Sequence, residues 1–220
     1  MFTNLKRKLY ERIERKRIEE YESELEKLEM EKAASGETPE LLLKEADLLL
    51  YSNRFDEALK RYRQILSSND LPNYVAAEIH ERIGNITGDL GHLSKAIEFN
   101  EKPEYLYNRA YMALKISKME RSPEEKRKLL DLAEKDITKC LEIEPDFFAH
   151  YELRAIVRVN KGNKNGAVYD ILNGFKNTYS PEYEGIKFFS DGWKIISSSF
   201  DDKIKSAMKS EIEKIKRSKK

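Results

Sequence analysis

The stretch that decides the fold runs from Ala133 to Ala155, AEKDITKCLEIEPDFFAHYELRA. Ala133, Ile137, Cys140 and Leu141 recur at the three-to-four spacing of one helix face, and Pro145, which lacks a backbone donor, stops that helix. A second periodic run begins at once, with Tyr151 and Ala155 four apart on one side of a new helix that can fold back on the first.

Working outward, the composition agrees with repeated helices. The 220 residues are 37% charged and include only 9 Gly and 6 Pro, which fits a soluble all-helical chain better than a β or low-complexity one. No apolar run approaches the roughly 20 residues that cross a bilayer. The start, MFTNLKRKLYERIERKR, has basic residues but no apolar core segment and no small-residue cleavage site, so no secretory signal is expected. Cys140 stands alone on an apolar helix face and reads as a small core residue in a reducing, cytoplasmic setting. A net charge of +1 conceals strong asymmetry. Residues 1–17 hold seven basic and two acidic side chains, residues 19–31 one basic and seven acidic, and residues 203–220 eight basic and two acidic.

The pattern A-x6-C-L-x-I-x-P followed by Y-x3-A resembles the seam between two tetratricopeptide repeats (TPRs), where a helix B ends in proline and the next helix A begins. The resemblance implies small residues at the eighth and twentieth repeat positions, where the two helices touch. Ala46/Ala58, Gly84/Ala96 and Ala155/Ala167 are each twelve apart, as that requires. The first repeat opens at Thr38-Pro39-Glu40, a cap followed by proline at the first helical position, and turns at Ser52-Asn53-Arg54. In the second repeat Pro103, which begins the next helix, stands only seven positions after Ala96, so a short helix B and a local bend are expected. In the third, Ala110 and Ala133 are 23 apart, and the extra length contains Ser122-Pro123-Glu124-Glu125, a capping box. Two elongated helices are therefore expected there. The fourth repeat turns at Lys161-Gly162-Asn163, and Gly174 suits close packing where helix B would meet the next repeat.

The fold expected is an all-α, TPR-like solenoid of helical hairpins with a charged N-terminal helix and a C-terminal capping helix. Its parts are residues 1–35, the solenoid at 38–179, and residues 180–220. In the first part Ile18, Tyr21, Leu25 and Leu28 form a heptad-like stripe too short for a stable coiled coil, and Leu5, Leu9 and Ile13 also need cover. Ala33-Ala34-Ser35-Gly36 is the expected hinge. In the last part Ser180-Pro181-Glu182 caps a start, Asp191-Gly192 offers a break, and Trp193, Ile196, Phe200, Ile204 and Met208 form a stripe able to close the end of a solenoid.

Chemistry is thinly represented. His80, His92 and His150 lie in different repeats without a ligand-spaced partner, and there is no phosphate loop, nucleophile elbow or cysteine–base pair. No enzyme activity, cofactor or metal is expected. What the TPR resemblance implies instead is a protein-interaction scaffold whose helix A residues line a concave groove. Carried over, the groove residues are Leu43, Asp47, Leu50 and Tyr51, then Arg82 and Asn85, then Tyr107, Asn108 and Tyr111, then Glu152, Leu153 and Ile156. At positions where the family's clamp for carboxylate-ended peptides holds Lys, Asn, Lys and Arg, this chain has Leu43, Asp47, Glu104 and Asn108, which argues against that ligand. The groove reads as a seat for a peptide or helix of another protein. Two alternatives stay open. The chain's own N-terminal helix can cover these residues, or pair with a second copy of itself. The basic termini can dock the protein on nucleic acid or an anionic membrane.

Overall fold

A computed structural model describes residues 2–68, 71–178 and 198–218, with side chains from residue 11 onward, and these form ten helices and no strand. By its contacts the chain divides into two units, Met1–Thr87 and Gly88–Lys220. The division falls inside the second repeat, whose Gly84 and Ala96 belong to different units.

Unit one begins with α1 (Phe2–Ser35), which ends where Gly36 turns with φ 85° and donates its N–H to the Lys32 carbonyl. Among the described side chains, cover begins in its C-terminal part. Leu25 and Leu28 are buried against the next hairpin, whereas Ile13 is 48% exposed. Residues 11–17 of the helix are all exposed, and a polar stretch of this kind gains little from propensity alone; Leu5 and Leu9 lie outside the described side chains. In α2 (Pro39–Tyr51), Thr38 accepts the Leu41 N–H at 3.3 Å and Pro39 occupies the first position. α3 (Phe55–Leu66) folds back on α2 through a tight turn in which Asn53 takes φ 62°. The two helices cross at Ala46 and Ala58, both with no exposed surface, flanked by buried Leu49, Tyr62 and Ile65. Any larger side chain there would push the axes apart. α4 (Asn73–Thr87) completes the unit, with Ile79 and Ile83 in the same apolar cluster.

Unit two starts with α5 (Leu90–Phe99), at 10 residues the short helix B expected. α6 (Pro103–Met119) and α7 (Pro123–Ile143) are the two elongated helices, 17 and 21 residues long. They cross at Ala110 and Ala133, again fully buried. The capping box is only half as expected: Ser122 accepts the Glu125 N–H, but the Ser122 N–H is taken by Glu120, and Glu125 pairs with Lys128 instead. Cys140 is a core residue whose thiol burial pushes up to about 12, with Asp136 adding to the effect.

α8 (Phe148–Asn160) and α9 (Lys164–Thr178) cross at Ala155 and Ala167, joined by a turn in which Gly162 takes φ 82°. Gly174 corrects its expected role: a methyl group there would lie 2.8 Å from Tyr151 Cβ, so its bare backbone serves the partner helix of its own hairpin. α10 (Asp202–Ser218) lays Met208 and Ile212 against α9, with Phe200 beside them, and closes the apolar end. The expected residues Trp193 and Ile196, with Ser180-Pro181-Glu182 and Asp191-Gly192, lie outside the described residues.

Each of three hairpins also carries a buried ion pair at the same offset, one residue before the small residue of its first helix and three after that of its second. Glu45 meets Arg61 at 2.7 Å, Arg109 meets Asp136 through two contacts of 2.8 Å, and Arg154 meets Asp170 at 2.7 Å. Around them lie second partners: Lys32 reaches Glu45 at 2.7 Å, and Arg158 reaches Asp170 at 2.9 Å. Desolvating such charges costs several kcal/mol, which only near-ideal geometry offsets.

Candidate functional site

In unit one, α2 and α4 bring together six of the residues expected in the groove. Asp47 is the anchor. It accepts from the Tyr62 hydroxyl and, at 2.9 Å, from Arg82 Nε, while Arg82 Nη1 reaches Glu81 at 3.0 Å and the Asn85 amide also bonds Glu81. Burial and the hydrogen bond to Asp47 both push the Tyr62 hydroxyl above its ordinary pKa, so it stays a donor. For Arg82 burial works against the charge, but Asp47 and Glu81 more than offset it and hold the guanidinium charged. These bonds fix the two helices side by side within the unit.

Two clefts open beside this anchor. One, of about 520 Å³, is walled by Leu43, Tyr51, Tyr74 and Val75, with Glu24, Glu40 and Glu78 at its edges. The other, of about 250 Å³, is walled by Leu50, Tyr51, Phe55 and Ile86 beside Arg82 and Asn85. Tyr51 lines both and is 49% exposed; Phe55 is 46% and Tyr74 60% exposed. α1 borders these clefts without filling them: the Tyr21 ring stands 5.5 Å from that of Tyr51, and Glu22 pairs with Arg54.

In unit two the expected residues are less uniform. Tyr107 and Asn108 are half-buried, Tyr111 is 48% exposed with Lys115 near its ring, and Glu152 and Ile156 are half-buried. Leu153 is only 3% exposed and belongs to the core around α6 and α7. Burial raises the Tyr107 hydroxyl pKa, with the Glu152 charge adding to it. Sequence reasoning missed Phe55, Tyr74 and Phe147 as exposed aromatics; all three stand at helix starts, outside the helix A stripe from which the groove was read. Among the described residues no cluster of His, Cys, Asp and Glu is placed to hold a metal ion, and no helix is long and apolar enough to cross a membrane.

No family model matches the chain, and no curated protein matches it. Among solved structures it is similar to a thermophilic TPR protein of Thermus thermophilus, at 14% identity and a TM-score of 0.48, over 80% of this chain and 99% of that one. The chain's own hairpins, crossing at paired alanines at repeat-like spacing, define an all-α helical-repeat protein of TPR-like architecture.

Proposed function

We propose that the protein is a non-catalytic interaction scaffold that seats a peptide or helix of another protein against its helix A residues. The observation that carries this is the exposed aromatic set Tyr51, Phe55 and Tyr74 around two adjoining clefts, held on a frame that Asp47, Tyr62 and Arg82 tie together. Large, half-exposed rings on a fixed backbone lose little entropy when a partner covers them, and such residues dominate interface energies. Leu43, Leu50 and Val75 supply the apolar floor, and the carboxylates at the rim set register rather than affinity.

The test is affinity capture followed by mass spectrometry, comparing the wild-type chain with Tyr51→Ala/Tyr74→Ala. Loss of about 2 kcal/mol per truncated anchor lowers capture more than tenfold, and capture by the wild type persists in high salt. Capture indifferent to both tyrosines contradicts the proposal. The competing reading rests on Arg12, Arg15, Lys16 and Arg17, all exposed on α1. It gains if the protein instead binds RNA or anionic vesicles in a salt-sensitive way that deletion of residues 1–17 abolishes.

A further inference from the structure

Unit two holds a cleft of about 680 Å³ between the first turn of α6 and the turn joining α7 to α8. Its chemistry differs from that of the clefts in unit one. One wall is apolar and open: Ile143 is 47% and Phe147 54% exposed, and Phe147, His150 and Tyr107 form a ring cluster with centroids 4.8 and 5.8 Å apart. The other wall carries Glu104, Glu144 and Asp146, and no cation lines it.

The charges there are not neutralised from within the unit. Neither Glu104 nor Asp146 has an ion-pair partner among the described residues, and Glu144 has only His150 Nε2 at 3.8 Å. Burial lowers the His150 pKa, so the ring is neutral near pH 7 and does not offset the carboxylate. The neighbouring lysines are engaged elsewhere, Lys139 with Glu101 at 2.7 Å and Lys102 over the Tyr105 ring. The amino-terminal ends of α6 and α8 contribute roughly half a positive charge each, which leaves about two negative charges uncompensated.

Two further observations narrow the ligand. His150 lines the cleft at 3% exposure, its buried Nδ1 without a hydrogen-bond partner, so the ring offers the cleft its apolar face rather than a charge. The carboxylates are not grouped to hold a metal ion. A ligand that suits this lining is an organic cation, which covers apolar surface as well as meeting charge. A guanidinium is flat enough to stack on a ring, spans two carboxylates with its fork of donors, and sheds water more readily than an ammonium.

We propose that this cleft receives an arginine side chain of a partner peptide, the guanidinium meeting Glu144 and Asp146 and the methylene stem lying on Phe147 and Ile143. The proposal deepens the scaffold reading and rests on it, since it names the anchor that a partner brings to unit two.

The experiment is a 15N-resolved NMR titration of the full chain with L-argininamide, against L-citrullinamide, which has nearly the same shape without the charge. Saturable shifts at Phe147 and His150 are expected with argininamide, with affinity at least about tenfold weaker for citrullinamide. They vanish in Glu144→Gln/Asp146→Asn, whose altered side chains are exposed, and weaken in Phe147→Ala, a second variant that stands if the first fails to fold. Equal response to both probes, no response, or retention in the folded variants overturns the proposal. Capture dependent on Tyr51 and Tyr74 would then still stand, so the two readings fail separately.

Discussion

The α2/α3 hairpin of unit one and the α6/α7 and α8/α9 hairpins of unit two solve one packing problem with opposite signs of charge. In unit one the carboxylate of the buried pair is on the first helix, Glu45, and the guanidinium on the second, Arg61. In unit two the order is reversed, Arg109 to Asp136 and Arg154 to Asp170. The offset from the crossing alanines is the same in all three. The crossing therefore brings two particular positions face to face in a dry place, and either polarity serves provided the two match. The second repeat has Ile83 and Phe99 at those positions, and the boundary between the units falls within it.

The comparison is sharpest at Asp170, which has no exposed surface and serves both Arg154 and Arg158. Asp170→Ala leaves Arg154, 12% exposed, without a carboxylate and Arg158 with Glu134 alone, and is expected to cost about 3–5 kcal/mol in urea unfolding. Its counterpart Glu45→Ala is expected to cost less, because Arg61 is already 27% exposed and can turn to water, and the buried Lys32 keeps Glu29 and Glu37. Equal losses at the two sites would remove the distinction drawn between the units.

Next in size is the crossing itself. Ala46→Leu forces a branched side chain into a contact without exposed surface and is expected to lose about 1–3 kcal/mol, despite leucine's good helix propensity. A variant as stable as the wild type would show that the helices have room to part.

The smallest effect concerns acid. The folded His150 pKa lies below that of the unfolded chain, through burial, while Glu144 faces the ring at 3.8 Å and the Tyr107 and Phe147 rings pack on it. As pH falls through the unfolded histidine value of about 6.5, the unfolded chain takes up a proton that the folded ring resists, so stability declines. His150→Phe is expected to flatten the fall in melting temperature between about pH 7 and about pH 5.5. An unchanged slope would mean that another group carries the acid sensitivity.

Much of this architecture is readable in the residues. Small side chains at Ala46, Ala58, Ala155 and Ala167 are informative because a crossing admits little else, and Thr38 and Ser122 mark helix starts through hydrogen bonds their hydroxyls accept. The buried ion pairs escaped notice because, in a chain 37% charged, nothing in an Arg or Asp tells whether it meets water. The available signal was the recurrence of one offset in three hairpins. At the candidate site, Tyr51, Arg82 and Asn85 come from the helix A positions that the TPR resemblance implies, whereas Leu153, implied in the same way, does not face out, because α8 packs on both α7 and α9 and buries that face. Phe147 and Tyr74 stand outside any repeat pattern, and their exposure is set by packing at the helix starts.

The claim that the crossing sets a position where charge order is interchangeable is tested most directly by giving α6/α7 the polarity of α2/α3. In equilibrium urea unfolding, Arg109→Glu and Asp136→Arg are each expected to lose about 3–5 kcal/mol, and the double variant to recover at least about half of the summed loss. A double variant as unstable as the sum of the single changes would contradict it.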